Sequence, residues 1–175
     1  MSGHNKWSKI KHKKAATDAA KSKIFGKLVR LIQVEAKKAN GDTNSPGLAT
    51  AISKALKANM PKDNIERAIK KASEVGDSQE VLYEAYGPGG VGLIITGLTD
   101  NTNRTSAEVK HILSKNNSSL GAQGSVSWNF TRNTNQDWEP NTTVQLEEVD
   151  EEKLEKLIDI LEENEDIQDV YHNAE

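Results

Sequence analysis

The sequence contains no cysteine among its 175 residues. Disulfide bonds, thiolate nucleophiles and cysteine-ligated zinc or iron–sulfur centres are therefore excluded. Aromatic residues make up only 5% of the chain, and no apolar run approaches the roughly 18 residues of a membrane-spanning helix. The basic first residues are not followed by the apolar segment of a secretory signal. These absences predict a cytoplasmic protein without a membrane partner.

Catalytic and metal-binding motifs are also lacking. The four histidines are isolated from one another, and Glu108 with His111 would supply two of the three or four ligands that zinc requires. The segment GPGG at residues 87–90 lacks the Lys-[Ser/Thr] of a phosphate-binding loop, so we predict a turn between two strands. No serine or threonine has a recognisable histidine partner. The sequence therefore predicts neither an enzyme nor a cofactor.

The net charge of −3 conceals an uneven distribution. Residues 1–75 contain 17 Lys and Arg against 6 Asp and Glu, whereas residues 76–175 contain 6 against 20. Within the first part, residues 1–38 hold 11 basic and 2 acidic side chains. Such concentrated positive charge favours a polyanionic partner, typically nucleic acid, over the plainer explanation of solvated helix surfaces.

Residues 1–17 show neither helical nor strand periodicity, and we refer to them as the basic arm. Its lysines can each neutralise a phosphate, and as point charges they suit backbone contacts better than base recognition. Trp7 either stacks on an unpaired base or packs on the helices as a hydrophobic anchor. The candidate nucleic-acid-binding residues in the arm and the following helix are Lys6, Trp7, Lys9, Lys11, Lys13, Lys14, Lys21, Lys23, Lys27 and Arg30.

Three amphipathic helices are predicted after the arm. From Asp18 onward, apolar residues recur at the spacing of a buried helical stripe, and most lysines fall off that stripe. A second helix is predicted to begin with Ser45 as N-cap and Pro46 at its first position, and a third with Asp63 as cap. Three short helices with brief connections predict a small bundle whose outer surface is rich in lysine.

Residues 80–172 are predicted to follow the order β, β, α, β, β, α, β. The strands are expected at 81–86, 91–98, 124–131, 142–149 and 167–172. In the strand at 124–131, Val126, Trp128 and Phe130 would share one side. The first of the two helices contains Thr105 and Glu108 at the spacing of a capping box. In the second, Leu154, Leu157, Ile158 and Leu161 form the buried stripe.

The predicted fold class is therefore multi-domain, α followed by α+β. Residues 1–76 would form the basic arm and a three-helix bundle. Residues 77–175 would form an acidic ferredoxin-like domain, a split βαβ arrangement with an antiparallel sheet and an extra N-terminal strand. The polar segment 132–141 is the predicted linker.

Five blocks, among them MSGHNKWSKIKHKKAATDAAKSKIFGKL, ANMPKDNIERAIKKA and YEAYGPGGVGLIITGLTDNTNRTSAEVKHILSKN, closely resemble the YebC/PmpR family. The resemblance implies a cytosolic, non-enzymatic protein with a helical N-terminal domain and α+β domains after it. Members are described as DNA-binding transcriptional regulators, and related ones as translation activators that act on the ribosome and relieve stalling. The family's basic opening adds His4 and His12 to the candidate residues, and its helix-start block at 59–63 adds Lys62.

One departure from the family stands out, because members usually carry a third domain inserted between the segments that correspond to SWNFTR and TTVQLEE. Here only NTNQDWEPN bridges them. A surface loop in the middle of the second domain tolerates such a change of length.

Three functions remain as alternatives. The first is a nucleic-acid-binding regulator, acting either on duplex DNA in transcription or on ribosomal RNA in translation. A lysine-rich, arginine-poor arm argues mildly against sequence-specific reading of the major groove. The second is an interaction module whose acidic domain recruits a basic protein. The third, an enzyme, would need a pocket of convergent polar groups that the sequence does not supply.

Overall fold

The computed structural model describes residues 17–175, and this range contains five α-helices and six β-strands. The helices are α1 (Asp18–Lys38), α2 (Pro46–Lys57), α3 (Lys62–Lys70), α4 (Thr102–Lys115) and α5 (Glu148–Glu163). The strands are β1 (Gln79–Tyr86), β2 (Gly92–Thr99), β3 (Ser119–Leu120), β4 (Phe130–Arg132), β5 (Trp138–Pro140) and β6 (Ile167–His172). The chain divides into two units, Met1–Asp77 and Ser78–Glu175. The predicted fold class, a helical N-terminal region followed by an α+β domain with an antiparallel sheet, is confirmed.

The helices α1, α2 and α3 enclose one hydrophobic core. Ile32 of α1, Leu48 of α2 and Ile65 of α3 are buried in it. Met60 joins this core from the turn between α2 and α3. Each helix therefore buries its apolar stripe and leaves its charged residues on the outside.

The helix starts differ from prediction in one case. Ser45 occupies the N-cap position of α2 and Pro46 opens the helix, although the serine side chain makes no capping hydrogen bond. In contrast, α3 begins directly after Pro61, and Asp63 lies within its first turn instead of capping it. Pro61 already has the extended conformation of an N-cap residue, and the Asp63 carboxylate, two residues later, is favourable near the positive end of the helix dipole.

The second unit contains a four-stranded antiparallel sheet with the order β3–β1–β2–β6. β1 and β2 pair along their whole length, from Gln79 opposite Thr99 to Tyr86 opposite Gly92. α4 connects β2 to β3, and β1 lies between those two strands, which makes a split βαβ unit. β1, which the sequence suggested as an addition at the N-terminal side, is thus one of the two central strands.

The strands predicted at 124–131 and 142–149 do not belong to this sheet. Residues 127–129 form a 3₁₀ turn, in which Trp128 is exposed while Val126 and Phe130 are buried. Their alternation therefore comes from a turn that folds back on the sheet. Residues 142–147 contain only an isolated bridge from Val144 to Ala174, and α5 follows at Glu148.

The segment predicted as a linker, residues 132–141, is instead part of a β-hairpin. β4 and β5 pair antiparallel, with Phe130 opposite Pro140 and Arg132 opposite Trp138. The Arg132 guanidinium lies over the Trp138 ring, 5.0 Å from its centroid. This cation–π contact and the apolar packing of Trp138 hold a segment whose composition alone is that of a loop.

Both faces of the sheet are covered. On one face, which we call the hairpin face, Ile94 packs with Val126 and Phe130, and Trp138 and Tyr171 lie against them. Because side chains alternate along a strand, Leu93 and Ile95 point to the other face, which α4 and α5 cover. The predicted stripe on α5 is present there, since its residues Leu154, Leu157 and Leu161 are fully buried and Ile158 is half-buried.

The predicted capping box of α4 is not formed. The N-cap lies four residues earlier than predicted, at Asn101, whose side chain accepts a hydrogen bond from the Arg104 amide at 3.0 Å, and the helix begins at Thr102. Thr105 is buried and donates its hydroxyl to Asp166 at 2.9 Å, and Arg104 Nη2 lies 2.9 Å from the same carboxylate oxygen. The start of α4 is therefore tied to the residue that precedes β6.

The turn between β1 and β2 contains two glycines whose surroundings differ. Gly89 and Gly90 both have positive φ, at 69° and 79°. A Cβ at Gly89 would lie 2.5 Å from Leu146 Cδ2, whereas one at Gly90 would meet open space.

We expect G90A to lower the free energy of unfolding by about 1–2 kcal/mol from backbone strain alone. G89A should lower the free energy of unfolding by at least about 1 kcal/mol more than G90A, because its methyl group would also clash with Leu146. Urea denaturation measures the loss of stability in both variants. Equal losses would contradict this difference between the two glycines.

Candidate nucleic-acid interface

Three basic residues form a stripe along α1. Lys23, Lys27 and Arg30 follow one another at spacings of four and three residues, which places them on one side of the helix. At 100° per residue, this side is opposite Ile32 and Ala36 of the bundle core, whereas Val34, which is also buried, lies on the same side one turn after Arg30. We call Lys23, Lys27 and Arg30 the basic stripe. It faces away from the core of the bundle.

The remaining candidate on α1 is separate from the stripe. Lys21 is exposed but lies more than a third of a turn away around the helix. Lys23 is exposed and both Lys27 and Arg30 are half-buried, as long basic side chains are when their stems cover apolar surface. Among the four predicted residues of α1, the structure thus brings three together.

Lys62 belongs to a different helix. It is the first residue of α3, and its side chain is exposed. The same helix carries two basic residues that the sequence analysis did not select, Arg67 and Lys70, on the side away from Ile65. Arg67 Nη2 donates to Asn64 Oδ1 at 2.7 Å, which fixes the guanidinium on the surface. Helical periodicity could have identified both residues from the sequence, because they lie opposite the apolar stripe of α3.

The basic residues at the end of α1 have a structural role. Lys37 Nζ donates to the carbonyl of Val75 at 2.6 Å and lies 3.0 Å from Asp77 Oδ1. Lys38 Nζ lies 3.7 Å from Glu35 Oε1. Lys37 therefore holds the end of α1 to residues 75–77. The candidate residues Lys23, Lys27 and Arg30 lie nearer the start of the helix.

The other candidates lie outside the described residues. They are His4, Lys6, Trp7, Lys9, Lys11, His12, Lys13 and Lys14. The two alternatives for Trp7, base stacking and packing on the bundle, therefore both remain predictions.

The histidine and carboxylate side chains of residues 17–175 do not come together as metal ligands. In this range no group of three His, Asp or Glu side chains is placed to hold a metal ion. Glu108 Oε2 accepts a hydrogen bond from Asn164 at 2.7 Å, and His111 is exposed. No helix in the described part of the chain is long and apolar enough to cross a membrane.

Comparison with known sequences matches nearly the whole chain. A profile described as "TACO1/YebC protein N-terminal domain" matches residues 5–75, and one described as "TACO1/YebC second and third domain" matches residues 78–135 and 131–174. The chain belongs to the TACO1/YebC family. The two parts of the second match meet in the β4–β5 hairpin, at the point where the sequence analysis placed the missing third domain.

Individual relatives support the same assignment. A protein of Fervidobacterium nodosum named "Probable transcriptional regulatory protein" is 41% identical over 236 positions, which cover 99% of this chain and 93% of the relative. A protein of Thermosipho africanus with the same name is 40% identical over 237 positions, covering 100% and 94%. Because 236 exceeds the 175 residues of this chain by 61, at least 61 positions of the first relative face a gap.

A solved structure shares the fold. A conserved hypothetical protein from Aquifex aeolicus superimposes with a TM-score of 0.74 and 33% identity, covering 90% of this chain and 91% of the other. The relatives from Fervidobacterium nodosum and Thermosipho africanus are both named as probable regulators of transcription.

Proposed function

We propose that this TACO1/YebC protein is a non-enzymatic, cytoplasmic regulator of gene expression that binds duplex DNA. The contact surface is the basic arm together with the basic stripe on the outer side of α1, and Lys21 and Lys62 are further candidate contacts. The observation that carries the proposal is the concentration of charge: residues 1–77 hold 17 basic and 7 acidic side chains. The stripe faces away from the bundle core, where a phosphate backbone can approach it.

The names of the relatives support transcription as the process. The main alternative is ribosomal RNA, since lysine-rich surfaces bind either phosphate backbone. Co-sedimentation of the full chain with ribosomal subunits, set against a gel shift on duplex DNA at physiological salt, separates the two. We expect retardation of the duplex and no stoichiometric sedimentation with subunits. The reverse result would move the function to translation.

The basic stripe gives a direct test of the interface. The triple variant K23A/K27A/R30A should bind duplex DNA about tenfold more weakly or worse at physiological salt. The slope of log K against log salt should fall by about 2–3, at nearly one per phosphate contact. Fluorescence anisotropy across a salt series measures both quantities.

The matched control is K110A/K153A/K156A, which removes three exposed lysines from residues 78–175. It should leave both affinity and slope unchanged. If the two triple variants weaken binding equally, net charge alone governs binding and the stripe is not the interface.

A further inference from the structure

Over residues 79–83, one edge of β1 is covered by no strand within residues 17–175. β3 pairs only with Ala85 and Tyr86, and the Gly121 amide donates to the Glu84 carbonyl at 2.8 Å where this pairing ends. In an antiparallel sheet the N–H and C=O groups of alternate residues point to the same side. The backbone groups of Leu82 therefore point outward beyond the end of β3. The Leu82 side chain is 44% exposed beside them.

Two aromatic side chains lie on the hairpin face near the end of β1 that β3 covers, a short stretch of extended chain beyond Leu82. Tyr86 lies on the same side of β1 as Leu82 and is 41% exposed, and Trp128 is 72% exposed. The Tyr86 hydroxyl and Trp128 Nε1 both donate to the carbonyl of Ser125, at 3.2 and 2.8 Å. An indole this exposed contributes little to the stability of the fold, yet its hydrogen bond holds it in one orientation. Rigid, exposed aromatic residues of this kind are typical anchors of protein interfaces.

The turn that carries Trp128 is fixed by hydrogen bonds to a buried carboxylate. The buried Glu84 carboxylate accepts hydrogen bonds from the amides of Gly124, Val126 and Ser127 at 2.6, 3.0 and 2.5 Å. Three charge-assisted hydrogen bonds fix this backbone strongly. The aromatic pair therefore stands on a preorganised support, which lowers the entropy cost of binding a partner.

The charge of this surface favours a cationic partner. Residues 78–175 contain 19 acidic and 6 basic side chains. By strand alternation Glu80 points to the hairpin face from β1 itself. Asp169 on β6 and Glu139 on β5 add negative charge to the same face, farther from the β1 edge. Arg132, on β4, lies over the Trp138 ring. A polyanion would be repelled here, whereas a lysine or arginine side chain would be attracted and could stack on Trp128 by a cation–π contact.

We propose that the β1 edge at residues 79–83, together with Tyr86 and Trp128, binds an extended segment of a partner protein that is rich in lysine or arginine. The segment adds a strand to the sheet beside β1, continuing the line of β3. Backbone hydrogen bonds to Leu82 supply affinity, and Trp128 together with the negative charge of the hairpin face selects cationic side chains. This site lies in the other unit from the basic stripe and does not depend on nucleic-acid binding.

The test starts from a displayed library of random 12-residue peptides, selected on the immobilised full chain after depletion on the W128A variant. We expect enriched peptides with alternating lysine or arginine and without proline. Absence of any enrichment over the W128A depletion, or enrichment of acidic peptides, would overturn the proposal.

Affinities of one enriched, labelled peptide are then measured by fluorescence anisotropy. W128A should bind at least tenfold more weakly, and L82P should lose a similar factor, because proline removes an N–H that points away from β2. V149A, which truncates a 62% exposed valine on α5, should bind like the wild type. Thermal melting checks that each variant is folded.

Methylation of alternate backbone amides of the peptide tests the strand pairing on the wild-type chain, so the outcome does not depend on the stability of L82P. Binding should fall at least tenfold. If the methylated peptide binds as well as the original, the contact is charge alone and strand addition is wrong. If a single-stranded 12-nucleotide DNA binds in a manner that requires Trp128, the site serves nucleic acid and the proposal fails.

Discussion

Replacing Lys6, Lys9, Lys11, Lys13 and Lys14 with glutamine should weaken the binding of duplex DNA by about a hundredfold or more at physiological salt. Each lysine that neutralises a phosphate releases close to one condensed counterion, so five contacts contribute about 4–5 to the slope of log K against log salt. Glutamine keeps the length and polarity of the side chain and removes only the charge. The difference in DNA affinity between the wild type and this variant should therefore be largest at low salt and vanish near 1 M.

The measurement is a salt titration by fluorescence anisotropy with one labelled duplex. The matched control replaces four exposed lysines of the acidic unit with glutamine: Lys110, Lys115, Lys153 and Lys156. The two variants lose similar amounts of positive charge from opposite ends of the chain. If the control weakens binding as much as the arm variant does, the location of the charge is irrelevant and the proposed interface is wrong.

W7A separates the two alternatives for Trp7. Base stacking is worth about 1–3 kcal/mol per base on single strands and little on an intact duplex. The same titration with single-stranded and duplex probes therefore distinguishes stacking from anchoring, because loss of a hydrophobic anchor would weaken both probes alike and lower thermal stability.

The parts of the fold that could be predicted from sequence are those in which one periodic stripe meets one core. α1, α2 and α5 bury such stripes, and β1, β2 and β6 have apolar residues in strand-length runs bounded by turn residues. The hairpin turn at Gly89 and Gly90 was predictable because glycine is favoured where φ is positive. Local signals were sufficient in these places.

The errors occur where tertiary contacts decide local structure. Thr105 resembles a helix cap, but its hydroxyl is bonded within the buried group formed with Thr99 and Asp166, which lies 61 residues away along the chain. Val126 and Phe130 alternate with Trp128 like residues of one continuous strand because both face the sheet, although Trp128 is in a 3₁₀ turn and β4 begins only at Phe130. No local pattern contains information about such distant partners.

The candidate interface was predictable only in its charge. The stripe of Lys23, Lys27 and Arg30 follows from helical periodicity once the buried side of α1 is known. In contrast, nothing in the sequence distinguished Lys37 from its neighbours, although the structure pairs it with Asp77. The pairing of Tyr86 with Trp128 could not be predicted from the sequence either. Both side chains donate to the backbone carbonyl of Ser125, and no pattern of side chains reveals such a contact.

Replacing Glu84 with glutamine should lower the free energy of unfolding of the second unit by about 2–3 kcal/mol at pH 7. The carboxylate is buried and accepts three backbone hydrogen bonds, and bonds to a charged group are worth more than neutral ones. Glutamine has one acceptor oxygen, so its NH₂ group must face a backbone N–H that already points inward. One donor is then left without an acceptor in a site that water reaches poorly.

Urea denaturation followed by tryptophan fluorescence measures the loss in a W7F background, where Trp128 and Trp138 are the remaining tryptophans and both belong to the second unit. The matched control is E80Q, which removes a carboxylate from an exposed position on the same strand and should change stability by less than about 0.5 kcal/mol. Equal effects of E84Q and E80Q would show that the hydrogen bonds to the turn contribute nothing.

The pH dependence gives the stronger test, because its sign is fixed. Burial acts to raise the pKa of Glu84, but the amides of Gly124, Ser127 and Val126 outweigh it and hold the pKa below the usual value. A lowered pKa in the folded state means that the carboxylate stabilises the fold fully above the unfolded pKa, about 4.3, and loses that contribution as pH falls toward the folded pKa. The stability gap between wild type and E84Q should therefore be largest at pH 7 and narrow below about pH 4. A gap that stays constant or widens on acidification would mean that Glu84 is not held as an anion by the turn.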